Sequence, residues 1–334
     1  MPLPPRVLRR ALAPVAVALL LALAAVLCVG LLVGIVMAPF GRRRRPLRLA
    51  SFALAYNAME VTVLLRGGLL WARHGFRRAG HHDARWKHDN EKLLRWALER
   101  VLGAAHTCVG FTTALHPQSV PGPLEQTQPV LVLARHSGIG DSFSLVHLLL
   151  NRYRRHVRVA MKDILQFDPA IDLLLNRLGC CFLNRRRTDA TQAMRDLTAD
   201  AGELDAVLLF PEGGNWTPER RRRAIRRLRR ERKLRAAHIA TLMDHVLPPH
   251  PAGVLACLGE RPDLGVVVAA HAGLDRITTI RAGWRELPFC RPMTVRLWPA
   301  VPPPPTEEAR VAWLTTEWAV VDEWVDAYHE EMAS

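Results

Sequence analysis

Three patterns of apolar and polar positions follow one another along the chain. Residues 11–40 carry no charged side chain. A bilayer core takes roughly 20 apolar residues as helix, so this run is long enough to span. Arg6, Arg9 and Arg10 precede it and the arginines 42–45 follow it. A cleaved signal peptide has an apolar region of only about 7–15 residues, which makes a retained anchor the expectation. The heavier basic flank, with Arg48, comes after the run, and this predicts a cell-membrane protein whose C-terminal bulk faces the cytoplasm. Residues 47–71 are also apolar, but Arg48, Asn57, Glu60 and Arg66 interrupt them. A charge at mid-bilayer costs on the order of 2.5–3.5 kcal/mol, so this segment is expected as an interfacial or protein-packed helix. Residues 73–115 read as polar helix.

Beyond the Pro-rich stretch 117–123 the pattern changes to short apolar runs separated by longer mixed segments. The runs are 130–136, 157–162, 180–185, 206–213, 264–271 and 294–301, with helical spacing at 142–151 and 190–201. Strands alternating with helices predict an α/β domain with a largely parallel central sheet flanked by helices. Residues 307–331 form an acidic amphipathic helix with Trp313, Trp318 and Trp324, expected to pack back onto that domain. The predicted organisation is 1–45 as anchor with basic flanks, 46–116 as a helical, partly interfacial region, 117–305 as the α/β domain and 306–334 as the terminal helix.

Composition narrows the function classes. Hydrophobic residues at 49% exclude a disordered chain, and 23% charged residues exclude a multi-spanning transporter. The balance of 46 basic against 31 acidic residues favours polyanionic partners, namely nucleic acid, an anionic membrane surface or phosphorylated substrates. None of the six cysteines forms a CxxC pair, so neither a disulfide framework nor a zinc module is indicated. The cluster His81, His82, Asp83 and His88 has no second ligand pair at metal spacing and reads as a solvated face. Within residues 220–235 only Glu231 is acidic. A helix there suits anionic lipid, whereas nucleic-acid binding would leave the apolar anchor unexplained.

Ligands of such sheets collect beyond the carboxyl ends of the strands. His136 and Asp141 flank a two-glycine turn at the first strand end, and no other H-x4-D pair occurs in the chain. The glycines let the turn bring imidazole and carboxylate together, as a general base and its orienting partner require; a turn with a helix cap at Asp141 is the plainer reading. Arg185, with Arg186 and Arg187, ends another run, and Lys162 a third; cations there suit phosphate. Glu212 leaves a strand through Pro211 into Gly213 and Gly214, whose amides can approach a ligand closely. No G-x-S-x-G elbow, G-x-G-x-x-G or P-loop is present, so no protein nucleophile, dinucleotide or ATP is suggested. The histidine is then left to activate a hydroxyl of the substrate itself, and the basic pocket and anchor make that substrate a phospholipid-like alcohol.

In order and spacing, RHSGIGD (135–141), GCCFLNR (179–185) and FPEGGN (210–215) resemble the ordered blocks of the glycerolipid acyltransferases, specifically the 1-acylglycerol-3-phosphate acyltransferase family. VLPPHPAGV (246–254) looks like the fourth, proline-containing block, and the resemblance covers roughly residues 128–328. It implies transfer of an acyl group from acyl-CoA or acyl carrier protein to a lysophospholipid hydroxyl, with no cofactor or metal. In that scheme His136 is the base and Asp141 its partner. Lys162 and Arg185 hold the phosphate, and Glu212, Gly213 and Gly214 shape the glycerol and acyl site. The third block usually has threonine and arginine after its first glycine; Gly214 and Asn215 stand there, which leaves the head group open. Acylation of another lysophospholipid or a glycolipid, or an idle lipid-binding protein on the same fold, are the alternatives.

Overall fold

The computed structural model describes residues 5–40, 44–75, 84–138, 140–184, 189–275, 277 and 279–332. Arg42, Arg43, His81, His82, Asp83 and the arginines 185–187 lie outside the described residues, and so does what was expected of them. The chain is organised as two compact units. The first holds residues 1–112, 161–187 and 284–290, the second 113–160, 188–283 and 291–334. The strands, in chain order, are β1 (Thr113–Leu115), β2 (Val130–Ala134), β3 (His156–Lys162), β4 (Cys181–Leu183), β5 (Asp205–Leu209), β6 (Gly265–Ala272) and β7 (Met293–Pro299).

In the first unit the uncharged run becomes the helix Ala13–Met37, long and apolar enough to cross a membrane. Gly34 is its one buried residue, and an added Cβ there would stand 2.9 Å from the Leu47 Cα. Glycine therefore lets the next helix, Arg45–Arg73, approach closely. That helix runs unbroken through the polar interruptions and buries Asn57, Met59, Glu60, Val63 and Gly67, which makes it a protein-packed helix as its pattern predicts. The Glu60 Oε2 accepts the Ala170 amide at 3.1 Å, and Arg66 stacks over Trp96 at 4.3 Å. Arg9 donates to Asp172 at 2.7 Å and to Gln166 at 2.8 Å.

The second unit is built on strands in the order β1-β7-β6-β2-β5-β3. Neighbours are parallel except β6 and β7, so the sheet is largely parallel, as expected. Val130–Ala134 is buried at every position, the burial of a central strand covered on both faces. The helices Asp141–His147, Ala190–Ala199, Pro251–Glu260 and Glu307–Glu331 belong to this unit. The last of them packs back as expected: Trp318, Val321 and Val325 are fully buried, and Asp322 accepts the amides of Asp244 and His245. One strand departs from the sequence reading. β1 lies in a stretch expected to be helical, and its three residues pair in parallel with Met293–Val295, a long-range partnership that local pattern does not encode.

Candidate active site

Strand register sets the site of the second unit. Ala134 on β2 stands opposite Ala269 on β6, so His136 and His271 each fall two residues past that pair, at the carboxyl ends of adjacent parallel strands. Beyond His136 the backbone reaches Gly140, whose φ of 90° admits glycine readily, and the helix Asp141–His147 begins. This turn brings His136 and Asp141 together: Nδ1 of the imidazole lies 2.8 Å from Oδ2 of the carboxylate.

Asp141 is 1% exposed and accepts more than that one bond. The amides of Ser137 and Gly138 donate to Oδ2 at 3.1 and 3.2 Å, and the Ser142 amide donates to Oδ1 at 2.6 Å. Burial alone would raise its pKa. The hydrogen bond from His136, the nearness of His271 and the backbone donors outweigh burial and hold it at about 2. An ionised carboxylate only accepts, so Nδ1 of His136 donates and Nε2 is the nitrogen left to accept a proton. Among the described residues Nε2 makes no hydrogen bond, and the side chain is 20% exposed. The Phe210 ring packs against the imidazole with centroids 4.6 Å apart.

Glu212 follows β5 and is 3% exposed. Its Oε1 accepts the His136 amide at 3.0 Å and its Oε2 the Leu247 amide at 2.8 Å. Burial pushes its pKa up to about 7, against the pull of Arg135 and of the two amides. The carboxyl expected to line the acceptor site is thus engaged within the protein, clamping the backbone of His136. Gly213 has φ +66°, and an added Cβ would stand 3.3 Å from the His250 ring. Its amide is committed to the Phe210 carbonyl, whereas the Gly214 amide has no internal acceptor among the described residues. The loop then returns to the histidine: Trp216 donates its amide to the His136 carbonyl at 2.6 Å, and the Asn215 side chain reaches the Gly138 carbonyl at 3.5 Å.

Two buried residues escaped the sequence reading. Arg135 is fully buried, pairs with Asp275 at 2.5 Å and donates to the His245 carbonyl at 2.7 Å. Asp275 is held well below the usual carboxylate range: burial opposes this, and Arg135 and the His329 hydrogen bond prevail. His271 is 1% exposed, with Nε2 2.8 Å from the Arg135 carbonyl oxygen and 3.5 Å from Oδ2 of Asp141. A signal that His271 ends an apolar run was present, since AAHAG (269–273) places a histidine as LARHS (133–137) does, but its nearness to Asp141 was not. Of the expected phosphate-holding cations, Lys162 ends β3 within the first unit and is exposed, and Arg185 lies outside the described residues.

The arrangement joins a tethered imidazole, a free Nε2 and a nearby glycine turn, which together can take a proton from a hydroxyl beside a carbonyl under attack. No curated protein sequence matches the chain. Its fold is similar to that of the 1-acyl-sn-glycerophosphate (LPA) acyltransferase PlsC from Thermotoga maritima. The TM-score is 0.56 at 13% identity, over 87% of this chain and 98% of that one. Residues 119–251 match the family model Acyltransferase. That span contains His136, Asp141, Glu212 and the Gly213–Gly214 turn.

Proposed function

We propose that the protein is a membrane-associated lysophospholipid acyltransferase. It moves a fatty acyl group from acyl-CoA or acyl carrier protein to the free hydroxyl of 1-acylglycerol-3-phosphate, giving phosphatidate. The observation that carries this reading is the His136–Asp141 pair, with Nδ1 tethered at 2.8 Å and Nε2 free. Nε2 takes the proton of the acceptor hydroxyl as its oxygen attacks the thioester carbonyl. Asp141 stabilises the resulting imidazolium without taking its proton. The Gly214 amide is the donor available to the developing oxyanion. Collapse breaks the carbon–sulfur bond, and the imidazolium returns its proton to the leaving thiolate, so that ester and thiol are the products. Glu212 keeps the His136 backbone in place, while Lys162 and Arg185 are the cations for the acceptor phosphate.

Two features support work at a membrane. The helix Ala13–Met37 is long and apolar enough to anchor the chain, and the basic flank after it favours a cell-membrane location with the acyltransferase domain on the cytoplasmic side. In the second unit, Arg223, Arg226, Arg229, Arg230, Arg232 and Arg235 are exposed and pair with no carboxylate among the described residues. Near anionic lipid each such cation is worth about 1 kcal/mol, which makes anionic membrane lipids the partner of this face.

Asn215 favours a second acceptor class. Where related chains place an arginine, its amide turns to the Gly138 carbonyl, which removes a phosphate-facing cation and suits a larger head group. The full-length protein in detergent, given acyl-CoA or acylated carrier protein and one of lysophosphatidate, lysophosphatidylglycerol or lysophosphatidylcholine, separates the readings. The highest kcat/KM with lysophosphatidate is the expected result. Preference for a bulkier acceptor reassigns the head group, and no transfer to any acceptor points to a lipid-binding protein.

A further inference from the structure

His271 is a buried titratable group to which the acyl-transfer scheme gives no part. It is the penultimate residue of β6, with Nε2 2.8 Å from the Arg135 carbonyl oxygen and 3.5 Å from Oδ2 of Asp141. A carbonyl only accepts, so Nε2 carries the hydrogen and Nδ1, 3.4 Å from Ser137 Oγ, is the acceptor side. Burial lowers the pKa of this imidazole and keeps it neutral, against the pull of Asp141. That N–H is thereby bonded to the peptide that precedes His136, and it lies beside the carboxylate that holds His136.

We propose that His271 is a positioning residue for acyl transfer: its Nε2–H fixes the Arg135–His136 peptide and sits beside the Asp141 carboxylate, and so sets the aim and basicity of His136. This rests on the His136–Asp141 reading above. The sign of its effect follows from charge. An N–H beside Oδ2 offsets part of the carboxylate's field at His136; without it the imidazolium is more stable and the base stays protonated to higher pH. The charged groups facing His271 are Asp141, Arg135 and Asp275, and those facing His136 are Asp141 and Glu212. Arg135 and Asp275 pair with each other, and Glu212 is held by two amides, so a change at position 271 acts through Asp141.

The test compares pH profiles of kcat/KM for the full-length wild type, His136→Ala, His271→Phe, His271→Asn and His271→Gln, with acyl-CoA and lysophosphatidate in detergent. A glutamine amide reaches the place of Nε2; an asparagine amide reaches only that of Nδ1. His271→Phe and His271→Asn should lose about tenfold in kcat with KM for both substrates little changed. Their acidic limb should move up by about half a unit or more. His271→Gln should restore both the rate and the limb. A merely structural loss would lower activity equally at every pH. If the phenylalanine variant does not fold, the glutamine–asparagine comparison makes the same decision. An unmoved acidic limb, or glutamine as impaired as asparagine, overturns the role of His271 while an inactive His136→Ala leaves the dyad standing. An active His136→Ala overturns both.

Discussion

Oδ2 of Asp141 lies 2.8 Å from Nδ1 of His136 and also accepts the amides of Ser137 and Gly138. One carboxylate oxygen therefore orients the imidazole and folds the turn that carries it. Asp141→Asn should drop kcat by about 10²–10⁴-fold, because the amide no longer enforces the tautomer that leaves Nε2 unprotonated. Steady-state kinetics at saturating acceptor checks this.

The same carboxylate has a signature in stability. Its folded pKa is held at about 2, below the ordinary carboxylate range, so the folded state binds its proton less readily than the unfolded chain. Its contribution is present above the unfolded pKa of about 3.9 and is lost as pH falls through about 2. Denaturant unfolding between pH 2 and 6 should show a steeper acid loss in the wild type than in Asp141→Asn.

Arg135 and Asp275 form a buried ion pair at 2.5 Å. Arg135→Ala removes the cation at Oδ1 of the buried Asp275 and the donor to the His245 carbonyl, at a cost of about 3–5 kcal/mol. Replacement of an exposed arginine such as Arg229 should change stability by no more than about 0.5 kcal/mol. Parallel denaturation curves measure the contrast.

The phosphate reading makes Arg185 the acceptor's cation. Arg185→Ala should raise KM for lysophosphatidate about ten- to a hundredfold, with little change for the acyl donor. Arg185→Lys should recover part of this, since an ammonium lacks the planar fork. Equal KM values in all three proteins would place the phosphate elsewhere.

The middle of the sheet was legible because β2, β5 and β6 are buried almost throughout and appear as apolar runs, as Val130–Ala134 does. The H-x4-D spacing was legible because a glycine turn closes it within six residues. β1 was hidden: three residues carry no period, and its pairing partner lies near Met293. Glu212 was legible as a residue of interest, but its attachment to the His136 and Leu247 amides depends on contacts 76 and 35 residues away. His271 was hidden for a similar reason, since only the register of β2 with β6 brings it to Asp141.

The central claim is that His136 is the base of an acyl transfer. Its most direct measurement is the single-turnover rate of the full-length wild type and His136→Ala with acyl-CoA and lysophosphatidate, with circular dichroism confirming that both are folded. The account predicts transfer by the wild type and a loss of about 10²–10⁴-fold in the variant. A folded His136→Ala that transfers acyl groups at the wild-type rate would contradict it.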